Sequence, residues 1–214
     1  MIELNQIILG DCLEVMKEIP DKSVDLCLTD FPYGRNIDYN GTFIDTQENL
    51  KELVKITEPE IVRISKFALI TCGSLNIKHY SLYNDIFDIQ QPANASFSEY
   101  GNVTWQPILV YGKDPHNRFN KRWMSIRNTE IVKPNGHPCP KPINLWKKIL
   151  LRGSKNETDT ILDPFSGSGT TAIACLELNR NFICIEKDPK YYELSVKRVN
   201  DYKSQVPMEF LKAI

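Results

Sequence analysis

The sequence has no hydrophobic run long enough to cross a membrane. Runs such as residues 67–70 and 108–111 fall far short of the ~20 residues that a spanning helix needs. The first residues contain neither a basic region nor an apolar core, so no secretory signal peptide is expected. Six cysteines are scattered without a Cys-x-x-Cys pair, which is typical of a reducing cytosol rather than of a disulfide framework.

Net charge is also nearly absent. The 214 residues include 26 Lys+Arg and 27 Asp+Glu, so the formal net charge is −1, and this total alone does not suggest a nucleic-acid partner. With 42% hydrophobic and 25% charged residues, the composition excludes a disordered or low-complexity chain. No internal repeat or flexible linker divides the sequence, and its length predicts one domain, with room for an insertion.

Short β-rich runs alternate with amphipathic segments along the chain. Strands are predicted at 6–9, 24–29, 67–71, 104–111, 160–162 and 181–185, and helices at 12–18, 47–65, 143–151, 170–178 and 189–202. This alternation favours an α/β fold with a mostly parallel sheet.

The near-zero net charge conceals an uneven distribution. Residues 112–155 contain eleven lysines and arginines but two acids, a net charge of +9, so the rest of the chain carries −10. A basic stretch with aromatic and amide side chains can bind phosphates and base edges. It can equally be a solvated loop whose charges pair with the acidic remainder, and the charge pattern alone leaves both interpretations open.

A glycine-rich motif follows a predicted strand and begins a helix. In Asp163-Pro-Phe-Ser-Gly-Ser-Gly-Thr-Thr171, the glycines allow a sharp turn, and the N–H groups at the start of the helix can point at a ligand. Glu186, nineteen residues after Gly167, ends the next strand, where a carboxylate can accept hydrogen bonds from ribose hydroxyls. We expect a nucleoside site here, and a tight turn without a ligand is the alternative.

A second motif, Thr29-Asp-Phe-Pro-Tyr-Gly34, lies at the carboxyl end of an apolar strand, where ligands bind in open α/β sheets. It offers the carboxylate of Asp30, a backbone carbonyl and the ring of Tyr33. That set suits a planar base with an amino group, which can stack on the ring and donate its protons to the two acceptors. By itself, the motif is equally typical of a turn with a packed tyrosine.

Taken together, these motifs resemble the amino-group DNA methyltransferases, which use S-adenosylmethionine and carry an Asp-Pro-Pro-Tyr-type catalytic motif. The resemblance covers most of the chain. It includes the strand-end acid in residues 8–12, the catalytic motif in 24–34, a strand lining the base pocket in 104–113, a His-Pro-x-x-Lys-Pro motif in 137–142 and the glycine loop. With the catalytic motif first, the order is that of the permuted β class.

The family resemblance implies a Rossmann-like methyltransferase fold with a seven-stranded, mostly parallel sheet containing one antiparallel strand. It implies one catalytic domain, residues 1–214, with a short basic target-recognition insertion at about 112–136. The implied catalytic residues are Asp30, Phe31, Pro32 and Tyr33. The implied S-adenosylmethionine contacts are Asp11, Cys12, Asp30, His137, Lys141, Asp163, Pro164, Phe165, Gly167, Ser168, Gly169, Thr170, Thr171, Glu186 and Lys187.

DNA is the partner that the resemblance implies, and no membrane is involved. The implied DNA contacts are Lys113, Arg118, Lys121, Arg122, Trp123 and Arg127. The segment between Gly112 and His137 is short for target recognition, which suggests a short site or a second subunit, as in a homodimer. The resemblance also suggests a partner restriction endonuclease and action in the cytoplasm of a prokaryotic cell, whether the protein is cellular or phage-encoded.

In this family an Asp at the first motif position favours adenine N6 and a Ser favours cytosine N4, so Asp30 predicts adenine. Phe31 departs from the usual Pro, but the predicted contact needs only its carbonyl. No metal is expected, because His116, His137 and Cys139 supply too few ligands at unsuitable spacing.

Three alternatives remain open from the sequence. The first is an N4-cytosine methyltransferase. The second, motivated by Phe31, is an inactive methyltransferase-like protein that binds DNA. The third is a nicotinamide-dependent oxidoreductase built on Gly167-x-Gly169-x-x-Ala172, which leaves the Asp30 motif and the basic segment unexplained.

Overall fold

The computed structural model describes residues 2–90, 97–98, 101–102, 105–116, 125–128 and 136–205. The strands are β1 (Gln6–Leu9), β2 (Val24–Asp30), β3 (Ser65–Thr71), β4 (Asp85–Gln90), β5 (Phe97–Ser98), β6 (Gly101–Asn102), β7 (Trp105–Gly112), β8 (Ser125–Arg127), β9 (Thr160–Asp163) and β10 (Asn181–Glu186). The helices are α1 (Cys12–Lys17), α2 (Gln47–Ile64), α3 (Ile143–Gly153), α4 (Thr170–Glu177) and α5 (Pro189–Gln205), with a short 3-10 helix at Ser74–His79.

Within the described ranges, one eight-stranded sheet has the order β1-β10-β9-β2-β3-β7-β4-β8, and β5 and β6 form a separate hairpin. In the large sheet β7 alone runs antiparallel to its neighbours. The expected mostly parallel sheet with one antiparallel strand is confirmed. The expected count of seven strands is corrected to eight, because the three-residue strand β8 pairs with β4 at the edge of the sheet.

Side chains alternate between the two faces of the sheet and form two hydrophobic clusters. In β2, Leu26 and Leu28 belong to the cluster under α3, α4 and α5, whereas Cys27 belongs to the cluster under α1 and α2. Phe67 and Ala68 of β3 divide in the same way. Helices therefore cover both faces, and polar ligand groups can converge only at an edge of the sheet.

Four acidic residues at the carboxyl ends of four adjacent strands meet at one such edge. Asp30 ends β2, Asp163 ends β9 and Glu186 ends β10, while Asp11 follows β1. Because these four strands are parallel neighbours, their carboxylates gather at the same side. In the described part of the chain, no helix is both long and apolar enough to span a membrane.

Candidate active site

A cavity of about 280 Å³ lies at the carboxyl ends of β1, β2, β9 and β10. All of the expected cofactor contacts except Gly169 line it, namely Asp11, Cys12, Asp30, His137, Lys141, Asp163, Pro164, Phe165, Gly167, Ser168, Thr170, Thr171, Glu186 and Lys187. Phe31 and Pro32 of the predicted catalytic motif also line the cavity, and Tyr33 adjoins it through a hydrogen bond to Asp30.

The glycine loop between β9 and α4 approaches the opposite wall closely. Gly167 and Gly169 have φ angles of +52° and +78°, in the left-handed region. A β-carbon on Gly167 would lie 3.0 Å from Nε2 of His137, and one on Gly169 would lie 2.9 Å from Cβ of Ser195. The N–H of Gly167 donates a hydrogen bond of 2.7 Å to Oε2 of Glu186, so the loop is fastened to the end of β10.

Glu186 combines burial with a position on the cavity wall. Its Oε1 accepts a hydrogen bond of 2.8 Å from the N–H of Asp188. Burial raises the pKa of Glu186 to about 7, because the low-dielectric surroundings disfavour the charged form more than these two hydrogen bonds favour it. The carboxyl group therefore changes its charge near neutral pH.

Asp163 holds the start of the glycine loop. Its Oδ1 accepts hydrogen bonds from the Thr29 hydroxyl (2.7 Å) and the Phe165 N–H (3.1 Å), and its Oδ2 accepts one from the Thr171 hydroxyl (2.5 Å). Trp146 of α3 donates its indole N–H to the same Thr171 oxygen at 2.7 Å. Burial raises the pKa of Asp163 to about 6. This carboxyl group thus joins β2, β9 and α4 at the cavity wall, and the Thr171 hydroxyl extends the network to α3.

Three side chains contact the carboxylate of Asp30. Its Oδ1 accepts hydrogen bonds from the Tyr33 hydroxyl, at 2.5 Å, and from the Thr71 hydroxyl. Its Oδ2 lies 2.8 Å from Nζ of Lys141, with which it forms an ion pair. Lys141, expected as a cofactor contact, therefore also contacts the predicted catalytic carboxylate.

Tyr33 lies among polar and cationic groups. Its hydroxyl accepts hydrogen bonds from Nζ of Lys141, at 2.9 Å, and from the side-chain amide of Gln106 on β7. Nζ of Lys141 lies 4.8 Å from the ring centroid, and Cζ of Arg35 lies 5.7 Å from it. Burial and the nearby Asp30 carboxylate raise the pKa of Tyr33 well above its usual value, so its hydroxyl stays protonated.

Phe31, the unusual residue of the motif, is a core side chain with 1% of its surface exposed. Its ring packs edge-on against Phe165 of the glycine loop, with centroids 4.6 Å apart, and against Tyr80 at 5.6 Å. Its N–H donates a hydrogen bond of 3.2 Å to the carbonyl oxygen of Thr71. A phenylalanine at this position, where the family usually has proline, thus places an aromatic contact between the predicted catalytic motif and the glycine loop.

The turn after Asp30 is held by residues that the sequence patterns did not single out. The Asp45 carboxylate accepts hydrogen bonds from backbone N–H groups of the turn. The side-chain amides of Gln47 and Asn76 donate to backbone carbonyl groups of the same turn. The only signal in the sequence was that Asp45 and Thr46 precede a predicted helix, which indicates a helix cap rather than a clamp.

An aromatic wall closes one side of the cavity, and two of its three rings, those of Tyr39 and Tyr191, were missed by the sequence patterns. Tyr39, His137 and Tyr191 all line it, and the rings of His137 and Tyr191 meet edge-on with centroids 4.6 Å apart. The Tyr39 and His137 rings are 6.3 Å apart. Burial lowers the pKa of His137 to about 4, so its imidazole is neutral at pH 7.

The mouth of the cavity near β1 carries an ion pair. Nζ of Lys187 lies 2.9 Å from Oδ2 of Asp11, whose Oδ1 caps α1 by accepting a hydrogen bond from the Leu13 N–H. Burial opposes ionisation of Asp11, but the Lys187 and Leu13 contacts prevail and lower its pKa. Burial raises the pKa of Cys12 to about 12, so its thiol stays neutral.

The structure separates the two predicted DNA contacts that it describes. Exposed Arg127 ends β8 beside Gln90. It therefore lies on the side of the sheet where the parallel strands have their carboxyl ends, which is also the side of the cavity. Exposed Lys113 follows the carboxyl end of antiparallel β7, whose Gly112 pairs with Phe67, so it lies toward the opposite edge. The remaining four lie outside the described residues: Arg118, Lys121, Arg122 and Trp123. In the described ranges, no three His, Cys, Asp or Glu side chains form a metal-binding group.

Comparisons with known proteins find related sequences over most of the chain. The DNA methylase family of the N6/N4 class matches residues 24–197. The chain is 44% identical to the Type II methyltransferase M2.MboI of Moraxella bovis, over 96% of this chain and 91% of that protein. It is 28% identical to the DNA adenine methyltransferase YhdJ of Escherichia coli (strain K12), over 92% of this chain and 83% of that protein.

The fold is also found in a solved structure. The chain resembles the M1.HpyAVI–SAM complex with a TM-score of 0.65 and 25% identity, over 91% of this chain and 98% of that one. The similarity therefore extends over most of the chain rather than over one local motif.

Proposed function

The chain belongs to the N6/N4 class of the DNA methylase family, and from this membership we propose that it methylates the N6 amino group of adenine at a specific DNA sequence. It is a DNA methyltransferase, and its methyl donor is S-adenosylmethionine. The observation that carries the proposal is the position of Asp30, whose carboxylate lies on the wall of the cavity and beside Tyr33.

The cavity lining fits S-adenosylmethionine. The carboxylate of Glu186 can accept hydrogen bonds from ribose hydroxyls, and the apolar side chains of Phe43, Leu53 and Ile56 offer a surface for an adenine ring. At Gly167 the left-handed turn and the missing side chain let the backbone approach a ligand closely, and a β-carbon there would lie only 3.0 Å from Nε2 of His137. When bound, the cofactor supplies a methyl group on a positively charged sulfur.

The residues of the second motif can activate an exocyclic amino group. Such a nitrogen is a poor nucleophile because its lone pair is delocalised into the base. Asp30 can accept one N–H bond at Oδ2 and take the proton that the nitrogen releases. The carbonyl of Phe31 can accept the other N–H bond, and the ring of Tyr33 can stack on the base. Positioning and electrostatic stabilisation thus provide most of the rate.

The choice of adenine has two supports. The motif begins with Asp30, the residue that favours adenine in the family that the sequence resembles. A relative over 92% of the chain is itself named a DNA adenine methyltransferase. The same acceptors could serve the N4 amino group of cytosine, so the product has to be identified chemically.

The biological setting follows from the relatives. M.HinfI, M.HpaI and M2.MboI are Type II methyltransferases of bacteria, which supports action in a prokaryotic cytoplasm beside a partner restriction endonuclease. The shortness of the segment between Gly112 and His137 supports a homodimer. Light scattering of the purified protein with and without DNA tests the dimer, and a monomer in both would contradict it.

Nucleoside analysis tests the proposed function. The purified protein is incubated with DNA and methyl-labelled cofactor, and the digested DNA is examined by mass spectrometry. We expect N6-methyladenine, and a loss on the order of 10²-fold or more in single-turnover rate for Asp30→Asn, which removes the charged acceptor. Asp85→Asn is the matched control, because Asp85 is exposed and accepts a hydrogen bond from its neighbour Ile86.

Two results would contradict the proposal. N4-methylcytosine as the product would keep the enzyme class and change the base. DNA binding without label transfer by the wild-type protein would favour the inactive methyltransferase-like protein.

A further inference from the structure

Asp45 carries a carboxylate that is completely buried. Burying a carboxylate is costly unless hydrogen bonds replace water. Here three successive backbone groups donate to it: the Gly34 N–H to Oδ1 at 2.7 Å, and the Tyr33 and Arg35 N–H groups to Oδ2 at 3.1 Å each. The ion pairs between described residues do not include Asp45, so the hydrogen bonds of its carboxylate shown here come from backbone N–H groups.

The turn is shaped to receive this carboxylate. Gly34 has a φ angle of +67°, and successive N–H groups around a left-handed residue form a concave anion site. The positive φ angle favours glycine at this position, and a β-carbon on Gly34 would displace the side-chain amide of Gln47. The anion that fills this site is a side chain of the same chain, 11 residues away from Gly34.

The carbonyl side of the turn is fixed as well. Nδ2 of Asn76 donates to the Tyr33 carbonyl at 2.9 Å, and Nε2 of Gln47 donates to the Tyr33 and Gly34 carbonyls at 3.3 and 3.2 Å. Both peptide groups that flank Tyr33 are therefore held. No backbone N–H group of the described residues donates to the Phe31 carbonyl.

The cavity wall next to Asp45 has a separate attachment. Tyr39, Thr42 and Phe43, in the loop that ends at Asp45, line the cavity. This loop is tied to the start of α5 by a hydrogen bond of 2.9 Å from Nδ2 of Asn40 to Oδ2 of Asp188. A change at Asp45 is therefore expected to disturb the turn more than the cofactor wall.

From these contacts we propose that Asp45 is a positioning residue for methyl transfer. Its carboxylate holds residues 33–35 so that Tyr33 and the Asp30 carboxylate keep their relative geometry, although Asp45 touches neither substrate nor cofactor. This inference rests on the proposed function, because it is the proposed function that places Asp30 and Tyr33 against the reacting base. A displacement of about 1 Å at reacting groups can cost on the order of 10²-fold in rate.

Amide hydrogen exchange tests the clamp without any reaction. In the wild-type protein the amides of residues 33–35 should exchange slowly, although they lie outside helices and strands. In Asp45→Asn, whose side-chain NH₂ cannot accept, they should exchange at least ~10-fold faster. The matched control is Asp38→Asn, an exposed acid of the same loop that accepts a hydrogen bond from the Gly41 N–H.

Single-turnover kinetics test the consequence. Folded Asp45→Asn should transfer methyl groups on the order of 10- to 100-fold more slowly at saturating cofactor and DNA. Its Kd for S-adenosylmethionine, measured by calorimetry, should stay within about threefold, whereas a merely structural defect would change binding and rate together. Asp38→Asn should behave as the wild type in both measurements.

The outcomes separate this inference from the proposed function. A wild-type protein that transfers no methyl group would overturn the proposed function. An active wild type with an equally fast Asp45→Asn variant would overturn the positioning role, as would a parallel loss of rate and cofactor affinity. Should Asp45→Asn not fold, rapid exchange of the 33–35 amides in the wild-type protein would still overturn the clamp.

Discussion

The carboxyl group of Glu186 titrates close to physiological pH because burial raises its pKa to about 7. Only the ionised form offers its full acceptor capacity to ribose hydroxyls. We therefore expect the affinity for S-adenosylmethionine to rise as the pH increases through about 7. Glu186→Gln should weaken binding at pH 8 about tenfold and flatten this dependence. Calorimetric titrations from pH 5.5 to 8.5 measure both effects.

Stability should follow the opposite trend. The folded protein binds the Glu186 proton more tightly than the unfolded chain, whose pKa is near 4.5. The resulting stabilisation is fully present below that value and is lost as the pH rises through about 7. Asp163, with its pKa raised to about 6, adds a loss of the same sign. Glu193→Gln, at an exposed position of α5, is the control for Glu186→Gln. If the free energy of unfolding depended on pH identically in these two variants, Glu186 would not be the group responsible.

The packing of Phe31 belongs to the scale of elements, because its ring joins the end of β2 to the glycine loop after β9. Phe31→Ala should lower the free energy of unfolding by about 3–5 kcal/mol. Phe31→Pro, which restores the residue usual in the family, should also destabilise the protein, because it removes both the ring and the hydrogen bond to Thr71. Urea unfolding followed by circular dichroism measures these changes.

A second core phenylalanine provides a control that separates the contact between Phe31 and Phe165 from hydrophobic packing in general. Phe67 is 2% exposed and belongs to the other hydrophobic cluster. Phe67→Leu and Phe31→Leu should cost similar stability, but only Phe31→Leu should slow methyl transfer by the folded protein. Equal rates for the two variants would show that Phe31 contributes packing alone.

Most helices and strands were predictable because their ends are clearly marked in the sequence. The predicted elements are all present, and their ends differ from the structure by at most three residues. The strands β4 and β8, the last two in the order of the sheet, were missed for a physical reason. β4 mixes acids with apolar residues in a short run, and β8 has three residues, so both owe their conformation to pairing with neighbours rather than to local pattern.

The same division holds for the candidate site. The residues expected to contact the cofactor, apart from Gly169, line one cavity, and this grouping was predictable because they occur in contiguous motifs at strand ends. Asp45, Asn76 and Tyr191 were not, because each comes from a distant segment and acquires its role from a contact across the fold. The sequence also could not show that Lys141 pairs with Asp30, 111 residues away along the chain.

At the scale of the whole molecule, the charge distribution predicts how DNA binding depends on salt. Residues 112–155 carry +9 in a chain of net charge −1. We expect the DNA affinity to fall steeply with salt, since bound lysines and arginines release counterions from phosphates. Replacing Arg118, Lys121, Arg122 and Arg127 by glutamine should reduce the slope of log K against log salt by about one for each phosphate that is no longer neutralised. Fluorescence anisotropy at several salt concentrations measures this slope.

A control set separates position from total charge. Glutamine replacements at Lys17, Lys55, Lys190 and Lys197, which are exposed on α1, α2 and α5, remove the same number of positive charges elsewhere. They should leave the slope nearly unchanged, and both sets should leave cofactor binding intact. A slope that falls equally in the two sets would show that net charge, and not the basic segment, governs DNA binding.

The pairing of β1 with β10 has a consequence for the time course of synthesis. β10 is the neighbour of β1 in the described sheet, and the contact between Asn5 and Asn181 joins residues 176 positions apart. At roughly 5–20 residues per second, a ribosome makes the partner of β1 on the order of 10–35 s after β1 itself. Because Asp11 follows β1 and Glu186 ends β10, the expected cofactor site cannot be complete before the ribosome has passed residue 186.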